Sequence, residues 1–399
     1  MAVNFQRRIL KNGITLLFEK RGLPVVSIGF AVRHGGVNES AAEKGISHFI
    51  EHLLYEGTKK RTSKQISSLI EKNGGVFNGF TDETITAFWC KIPSKKIDIA
   101  LDVLSDMLKN SLFSPEHVKK ERNIIFEEIK TRRDNPVQYV FDEIQGLLYG
   151  KPLGIPLIGT YETMNSIDRK KIIRKFREAY ASSNLILSVV GDADFDKITR
   201  FAETAFKKKK TRIKSPKIIL KNESKEERRK GIDQANLILA FHSPKSKDKK
   251  VYAAKLLMVI MATGLSSRLF YELRTRRDIA YSIHGDLAAN KDFSYSYVFA
   301  GTGKNKVHEV KKIILNEFRK VAKSLTEKEL NDAKQQVIGN YYISMENSES
   351  QMHQLLLSEA DGNAREFYEF EKKIREVKLK DVKRLAKIKK YSFLALVPE

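Results

Sequence analysis

The order of candidate elements in the first half of the chain returns in the second, and this repeat limits the fold more than any other feature of the sequence. In the first half, two β-branched and aromatic stretches, Ile14–Phe18 and Val25–Val32, read as a hairpin-like pair of strands. Helical spacing follows over about 41–54 and 63–72, the second opened by Thr62 and Ser63 as candidate caps. The break Asn73-Gly74-Gly75 leads into strands at about 76–80 and 84–91, then helices near 95–109, 115–132 and 137–147. A strand at 185–190 and a helix ending near Phe206 close this half. The second half offers a strand at 235–242, helices at about 251–262 and 266–274, and strands at about 280–287 and 294–300. Helices at 308–323 and 327–345 and a final strand at 392–397 complete the repeat. The best local echo sets Phe113-Ser-Pro-Glu-His-Val-Lys-Lys-Glu121 against Leu325-Thr-Glu-Lys-Glu-Leu-Asn-Asp-Ala333, two helix starts with one polar–apolar rhythm. Sequential duplication accounts for this pattern. The expected fold is α+β: two homologous domains, each a mostly antiparallel sheet with helices packed on one face. The boundaries that follow are 1–206, a basic linker over 207–232, and 233–399.

Charge tests which partners suit such a chain. Lys and Arg number 73 against 49 Asp and Glu, a formal net charge of +24. Phosphate neutralisation would explain that surplus if it formed a patch. Instead, residues 205–230 hold 12 Lys or Arg against 3 Glu, interspersed with Ser215, Pro216, Asn222 and Ser224, as a solvated connector does. No nucleic-acid motif accompanies the charge, so no nucleic-acid partner is expected, while the net field favours anionic peptides. The single cysteine, Cys90, excludes an intrachain disulfide and any Cys-rich zinc site, and reads as a buried filler. The longest apolar run, Leu256–Ala262, falls far short of the roughly 18 residues of a membrane span. The start, MAVNFQRRILKNG, lacks an apolar stretch and a small-residue cleavage site. A soluble, cytoplasmic protein with no membrane contact is expected.

Chemistry concentrates in Gly45-Ile-Ser-His48-Phe-Ile-Glu51-His52-Leu53. On a helix, His52 lies about 40° round from His48 and Glu51 about 60° the other way. Two imidazoles one turn apart can then hold one zinc ion, with a carboxylate beside them to polarise a water. The order H-x-x-E-H is that of the inverzincins. The plain alternative is a helix with two surface histidines and a His–Glu contact three residues apart. Zinc that keeps an open position needs a third protein ligand. In the helix near 115–132, Glu128 shares the inward face with Ile124, Ile125 and Glu121, whereas Glu127 shares the wet face with Lys120, Asn123 and Lys130. Glu128 is therefore the candidate ligand and Glu121 a candidate supporting residue. In the echo, Asn340 stands opposite Glu128 and Ala333 opposite Glu121, and the counterpart helix at 251–262 has no His or Glu. One zinc per chain is expected, held by the first half. The remaining histidines, including His34 and His117, have no ligand spacing.

These motifs, over nearly the whole length, make the chain similar to the pitrilysin/insulinase family of zinc metallopeptidases, in its short, mitochondrial-processing-peptidase-like branch. In that family the third ligand is a Glu 76 residues after the second His, which is Glu128 here, and a Glu seven residues earlier, Glu121, supports the site. The family's substrate strand after a Gly-Gly turn corresponds to Asn73-Gly-Gly-Val-Phe-Asn78-Gly79-Phe80-Thr81, with Gly79 where Ala is usual. The resemblance implies that Asn78, Gly79, Phe80 and Thr81 bind an extended peptide by edge pairing. In the second half, Ser267-Arg-Leu-Phe-Tyr-Glu-Leu-Arg274-Thr-Arg-Arg-Asp278-Ile279-Ala-Tyr281 resembles the segment whose Arg and Tyr grip substrate backbone near the transition state. Arg274 and Tyr281 match that pair, although Asp278-Ile279 replaces the usual Gly-Leu. Taken alone, Arg274 reads as a helix-end cation.

The resemblance implies a zinc-dependent endopeptidase that hydrolyses unfolded peptides inside a clamshell of two facing chains. His48, His52 and Glu128 would hold Zn²⁺, Glu51 would act as the base, and Arg274 with Tyr281 would stabilise the oxyanion. Since one chain carries both residue sets, a homodimer is the simplest assembly, with a heterodimer with a related subunit as the alternative. Presequence processing fits poorly, because such leaders are themselves Arg-rich. Two other readings stand beside the enzyme: a non-catalytic scaffold subunit of the same fold, or one inactive without a heterologous partner, and a basic peptide- or nucleic-acid-binding module. Intact His48, Glu51, His52 and Glu128 argue against the scaffold.

Overall fold

A computed structural model describes residues 4–214 and 216–399; the first three residues of the start and Ser215 of the expected connector lie outside the described residues. Six strands form the first sheet: β1 (Phe5–Ile9), β2 (Thr15–Lys20), β3 (Val25–Val32), β4 (Val76–Thr81), β5 (Thr86–Pro93) and β6 (Leu185–Gly191). Their order is β1-β2-β6-β3-β5-β4, and only β2 and β6 run parallel. The strands at 15–20 and 25–32 exist, but the expected hairpin between them does not: β6 inserts and pairs with both. The reason lies in β6 itself, whose sequence Leu-Ile-Leu-Ser-Val-Val-Gly is buried at every position. Such a strand needs neighbours on both edges and cover on both faces.

Helices α1 (Ile46–Leu54), α2 (Ser63–Glu71), α3 (Ile97–Asn110), α4 (Pro115–Asp134), α5 (Pro136–Leu148), α6 (Tyr161–Ser166), α7 (Arg169–Ala179) and α8 (Phe195–Ala205) complete this half of the sequence. The Thr62 cap of α2 is as expected, its hydroxyl accepting the Gln65 amide. Strand residues alternate between two cores. Leu16, Phe18, Ile28 and Phe30 share one with Ile50 and Leu53 of α1 and Leu104 and Met107 of α3.

The second half forms β7 (Ser224–Arg229), β8 (Ala235–His242), α9 (Val251–Ala262), α10 (Arg268–Phe270), β9 (Ala280–Ala289), β10 (Ser294–Thr302), α11 (Val307–Ser324) and α12 (Glu327–Ser344). Helices α13 (Ser348–Asp361), α14 (Phe370–Arg375) and α15 (Leu379–Leu385) and strand β11 (Ser392–Pro398) follow. Its sheet has the order β7-β11-β8-β10-β9, again with one parallel pair, β7 with β11. That order matches β2-β6-β3-β5-β4 strand for strand, so the duplication is visible in the topology. Both sheets are mixed but mostly antiparallel, each with its main helical core on one face.

The compact units, however, are not the contiguous stretches 1–206 and 233–399. One comprises residues 4–129, 157–214 with 216, and 344–368; the other comprises 130–156, 217–343 and 369–399. The halves trade a helix. Met352, Leu355 and Leu356 of α13 pack on Leu17, Ala31, Ile186 and Val190, the second face of the first sheet. A Cβ on Gly29 would fall 2.3 Å from Met352 Sδ, so glycine there is what lets α13 lie close. Arg7 of β1 and Arg33, just past the end of β3, each reach Glu359 of α13 at 2.7 Å. In the other unit α5 packs on β8 and β11 through buried Val140, Ile144 and Leu148. The expected connector also contains a strand: β7 lies inside 207–232, its alternating burial fitting an edge position. Among the described residues no helix is long and apolar enough to cross a membrane.

Candidate metal centre

Helix α1 is held in place by buried polar groups beneath its start. Gly45, its N-cap, has φ 93°, and a Cβ there would lie 2.6 Å from the Ile158 carbonyl. The buried Glu39 carboxylate accepts the Gly45 and Ser47 amides at 2.8 and 2.7 Å, filling the positive end of the helix. Burial pushes the Glu39 carboxyl up to about 7, with Lys44 and those amides working the other way. Lys44 is itself fully buried and donates to the Gly36 carbonyl and Glu83 Oε2, both at 3.0 Å. Burial lowers His34 to about 3, so it stays neutral and joins Ser47 Oγ at 3.0 Å. Lys44→Met removes the cation opposite Glu83, and breaking one side of a buried pair costs about 3–5 kcal/mol. Equilibrium denaturation is expected to read that loss; a change below about 1 kcal/mol would show that α1 is anchored elsewhere.

The helix presents His48 and His52 with their Nε2 atoms 3.2 Å apart. Glu128 comes from α4, and its Oε2 lies 3.5 Å from His48 Nε2 and 3.9 Å from His52 Nε2. Two ligands at zinc distances of 2.0–2.1 Å in a tetrahedron stand about 3.3 Å apart. Two edges of the triangle lie close to that separation and the third, 3.9 Å, is longer, and the donor set, two imidazoles and a carboxylate, suits such an ion chemically. Among the described residues this is the one His, Cys, Asp and Glu group close enough to hold a metal ion.

Glu121, two turns before Glu128, is buried and its Oε2 stands 3.0 Å from His52 Nδ1. A proton on Nδ1 given to that carboxylate leaves the Nε2 lone pair for a metal. Burial works against a charged His52, but the Glu121 hydrogen bond and the charges of Glu51, Glu121 and Glu128 outweigh it and raise the imidazole. An otherwise basic chain thus has a local anionic field here. Glu121→Gln is expected to weaken zinc binding about 10–100-fold, read by competition with a chromophoric chelator. Unchanged affinity would remove Glu121 from the support of His52.

Glu51 lies between the two histidines in sequence, and its Oε2 accepts the Thr81 hydroxyl at 2.6 Å. Burial raises the Glu51 carboxyl above the ordinary range, Thr81 and His52 pull it back, and Glu128 adds to the rise. A carboxylate pushed in this direction is a better base near neutrality.

Thr81, expected only as part of a substrate strand, thus also touches Glu51. Asn78, Gly79, Phe80 and Thr81 all lie on β4, which pairs with β5 and ends the sheet, so its other edge has no strand among the described residues. Asn78 Oδ1 accepts the Gly79 amide at 2.8 Å. In the other unit Arg274 donates through Nη1 to the Tyr281 carbonyl at 2.6 Å, and the Tyr281 side chain is exposed. Asp278 adopts φ 50°, the left-handed region, where Gly is usual and Asp is tolerated. Sequence reasoning missed Glu39, Lys44 and Glu83, which have no motif spacing relative to His48, Glu51 and His52.

Comparison with known proteins gives the chain a family. The family described as Insulinase (Peptidase family M16) matches residues 15–161, and the Peptidase M16 inactive domain matches residues 166–337. An uncharacterized zinc protease of Rickettsia felis is 32% identical over 353 residues, covering 87% of this chain and 85% of that protein. A protease from Helicobacter pylori has a crystal structure similar at TM-score 0.93 and 21% identity, covering 99% of this chain and 100% of that one. A Pseudomonas fluorescens structure described as a peptidase M16 inactive domain is similar at TM-score 0.89 and 19% identity, over 99% and 98% of the two chains. The structures show a shared two-domain α+β fold, and the sequence matches go further: the chain belongs to the insulinase family of peptidases, family M16.

Proposed function

We propose that the protein is a zinc endopeptidase with one zinc ion per chain, held by His48, His52 and Glu128. The observation that carries this is the triangle of 3.2, 3.5 and 3.9 Å between their ligand atoms, with the Glu51 carboxylate beside it. The ion, when bound, supplies Lewis-acid polarisation to a water and to the scissile carbonyl. Glu51 takes the proton of the attacking water and returns it to the leaving amine. Thr81 orients the Glu51 carboxylate through Oε2, and Glu121 holds the tautomer and ring plane of His52. An extended peptide adds to the free edge of β4 along Asn78, Gly79, Phe80 and Thr81, gaining affinity from backbone bonds with little sequence demand. Arg274 and Tyr281 grip the substrate backbone and the oxyanion, supplied by a second copy of the chain across a closed chamber in the cytoplasm. The match of residues 166–337 to an inactive domain agrees with a metal set confined to the first half.

Metal analysis joined to a quenched-peptide assay tests this reading. The expected result is close to one zinc per chain, cleavage stopped by a chelator and restored by zinc, and folded proteins spared. Cleavage indifferent to the chelator, or purified protein that takes up no zinc, would overturn it.

A further inference from the structure

Beside the Glu51 carboxylate lies a polar group with no assigned role. Tyr55 is the C-cap residue of α1, one turn beyond Glu51, so the two side chains project from the same side of the helix. Its ring packs against Phe77 and Phe88, with centroids 5.6 and 6.0 Å away. The Tyr55 hydroxyl is buried and makes no hydrogen bond among the described residues. Buried donors without acceptors are uncommon and costly.

What surrounds that hydroxyl suggests its use. A Cβ added to Gly79 would stand 2.7 Å from Tyr55 Oη, 3.0 Å from the Ala87 carbonyl and 3.2 Å from Glu51 Oε1. The phenol oxygen thus occupies the space that a methyl group on residue 79 would need, and Glu51 Oε1 borders the same space. Thr81 serves Glu51 Oε2, while no protein donor reaches Oε1 among the described residues. A donor without an acceptor and an acceptor without a donor therefore flank one point. Burial, and after it the charge of Glu51, raises Tyr55 so that it keeps its proton.

We propose that Tyr55 is a positioning residue for Glu51: its O–H becomes the second donor to the carboxylate, closing on Oε1 as the group turns about its Thr81 contact. Position 79 is glycine to make room for that hydroxyl. The role given to Glu51 rests on the peptidase reading; the pairing of Tyr55 with Gly79 and Glu51 does not.

Thermal unfolding of the full chain, with and without zinc, separates the two. Gly79→Ala is expected to lower Tm by a few degrees in the presence of Tyr55 and by far less in the Tyr55→Phe background, where the 2.7 Å contact is gone. Tyr55→Phe and Glu51→Ala are likewise expected to be non-additive in Tm. In the peptide assay, Tyr55→Phe is expected to lower kcat about tenfold with KM and zinc content unchanged, since an orienting contact is lost and no binding one. Additive Tm losses in both cycles, or an unaltered kcat in Tyr55→Phe, would overturn the proposal. A wild type that binds zinc yet cleaves nothing would instead sink the peptidase reading and leave the melting test intact.

Discussion

Glu51→Gln lowers peptide hydrolysis by about 10²–10⁴-fold while zinc content stays that of the wild type, the range for losing a positioned general base. The substitution is nearly isosteric, and its amide oxygen can still accept the Thr81 hydroxyl that now lies 2.6 Å from Oε2. Geometry is thereby kept while the capacity to take a proton is lost. His48, His52 and Glu128 are untouched, so metal binding should persist, weakened at most slightly as one nearby negative charge disappears. Steady-state kinetics and metal analysis on the same preparation check both halves of the statement. Full activity in the Gln protein would place the base elsewhere; loss of zinc would show Glu51 to be a ligand.

The second large effect falls on the metal. Glu128→Gln replaces an anionic oxygen 3.5 Å from His48 Nε2 with a neutral amide, leaving two imidazoles to hold the ion. Zinc affinity should fall by more than about 100-fold, beyond the 10–100-fold expected for a supporting residue such as Glu121. Glu127→Gln removes the same charge from the adjacent position of α4 and is expected to leave affinity within a factor of a few. Chelator competition on the two proteins side by side distinguishes a site-specific ligand from a general electrostatic contribution. Equal losses would mean that only the local anionic field matters.

Much of this site could be read from the chain because its geometry is helical. Three and four residues of spacing put His48, Glu51 and His52 within one arc, and the facing of α4 favoured Glu128 over Glu127 through buried Glu121 and Ile125, although Ile124, expected on the same inward face, is exposed. The duplicated element order was legible for the same local reason. Strand neighbours were not. That β6 separates β2 from β3 depends on a segment more than 150 residues downstream, and no periodicity records it. The segment that forms β7, Ser-Lys-Glu-Glu-Arg-Arg, looks like solvated charge because an edge strand can be polar on both sides. The proximity of Tyr55, Gly79 and Glu51 joins a helix cap to a strand, and only tertiary packing creates it.

Because α13 arrives late in the sequence, a ribosome makes the first sheet long before it makes the lid for that sheet's second face. Between Gly191 and Ser348 the growing polypeptide carries Leu17, Ala31, Ile186 and Val190 uncovered. At ordinary elongation speeds that interval lasts roughly 8–30 s, long enough for chaperones to engage a greasy nascent surface. Truncated products ending in that window would be the aggregation-prone ones.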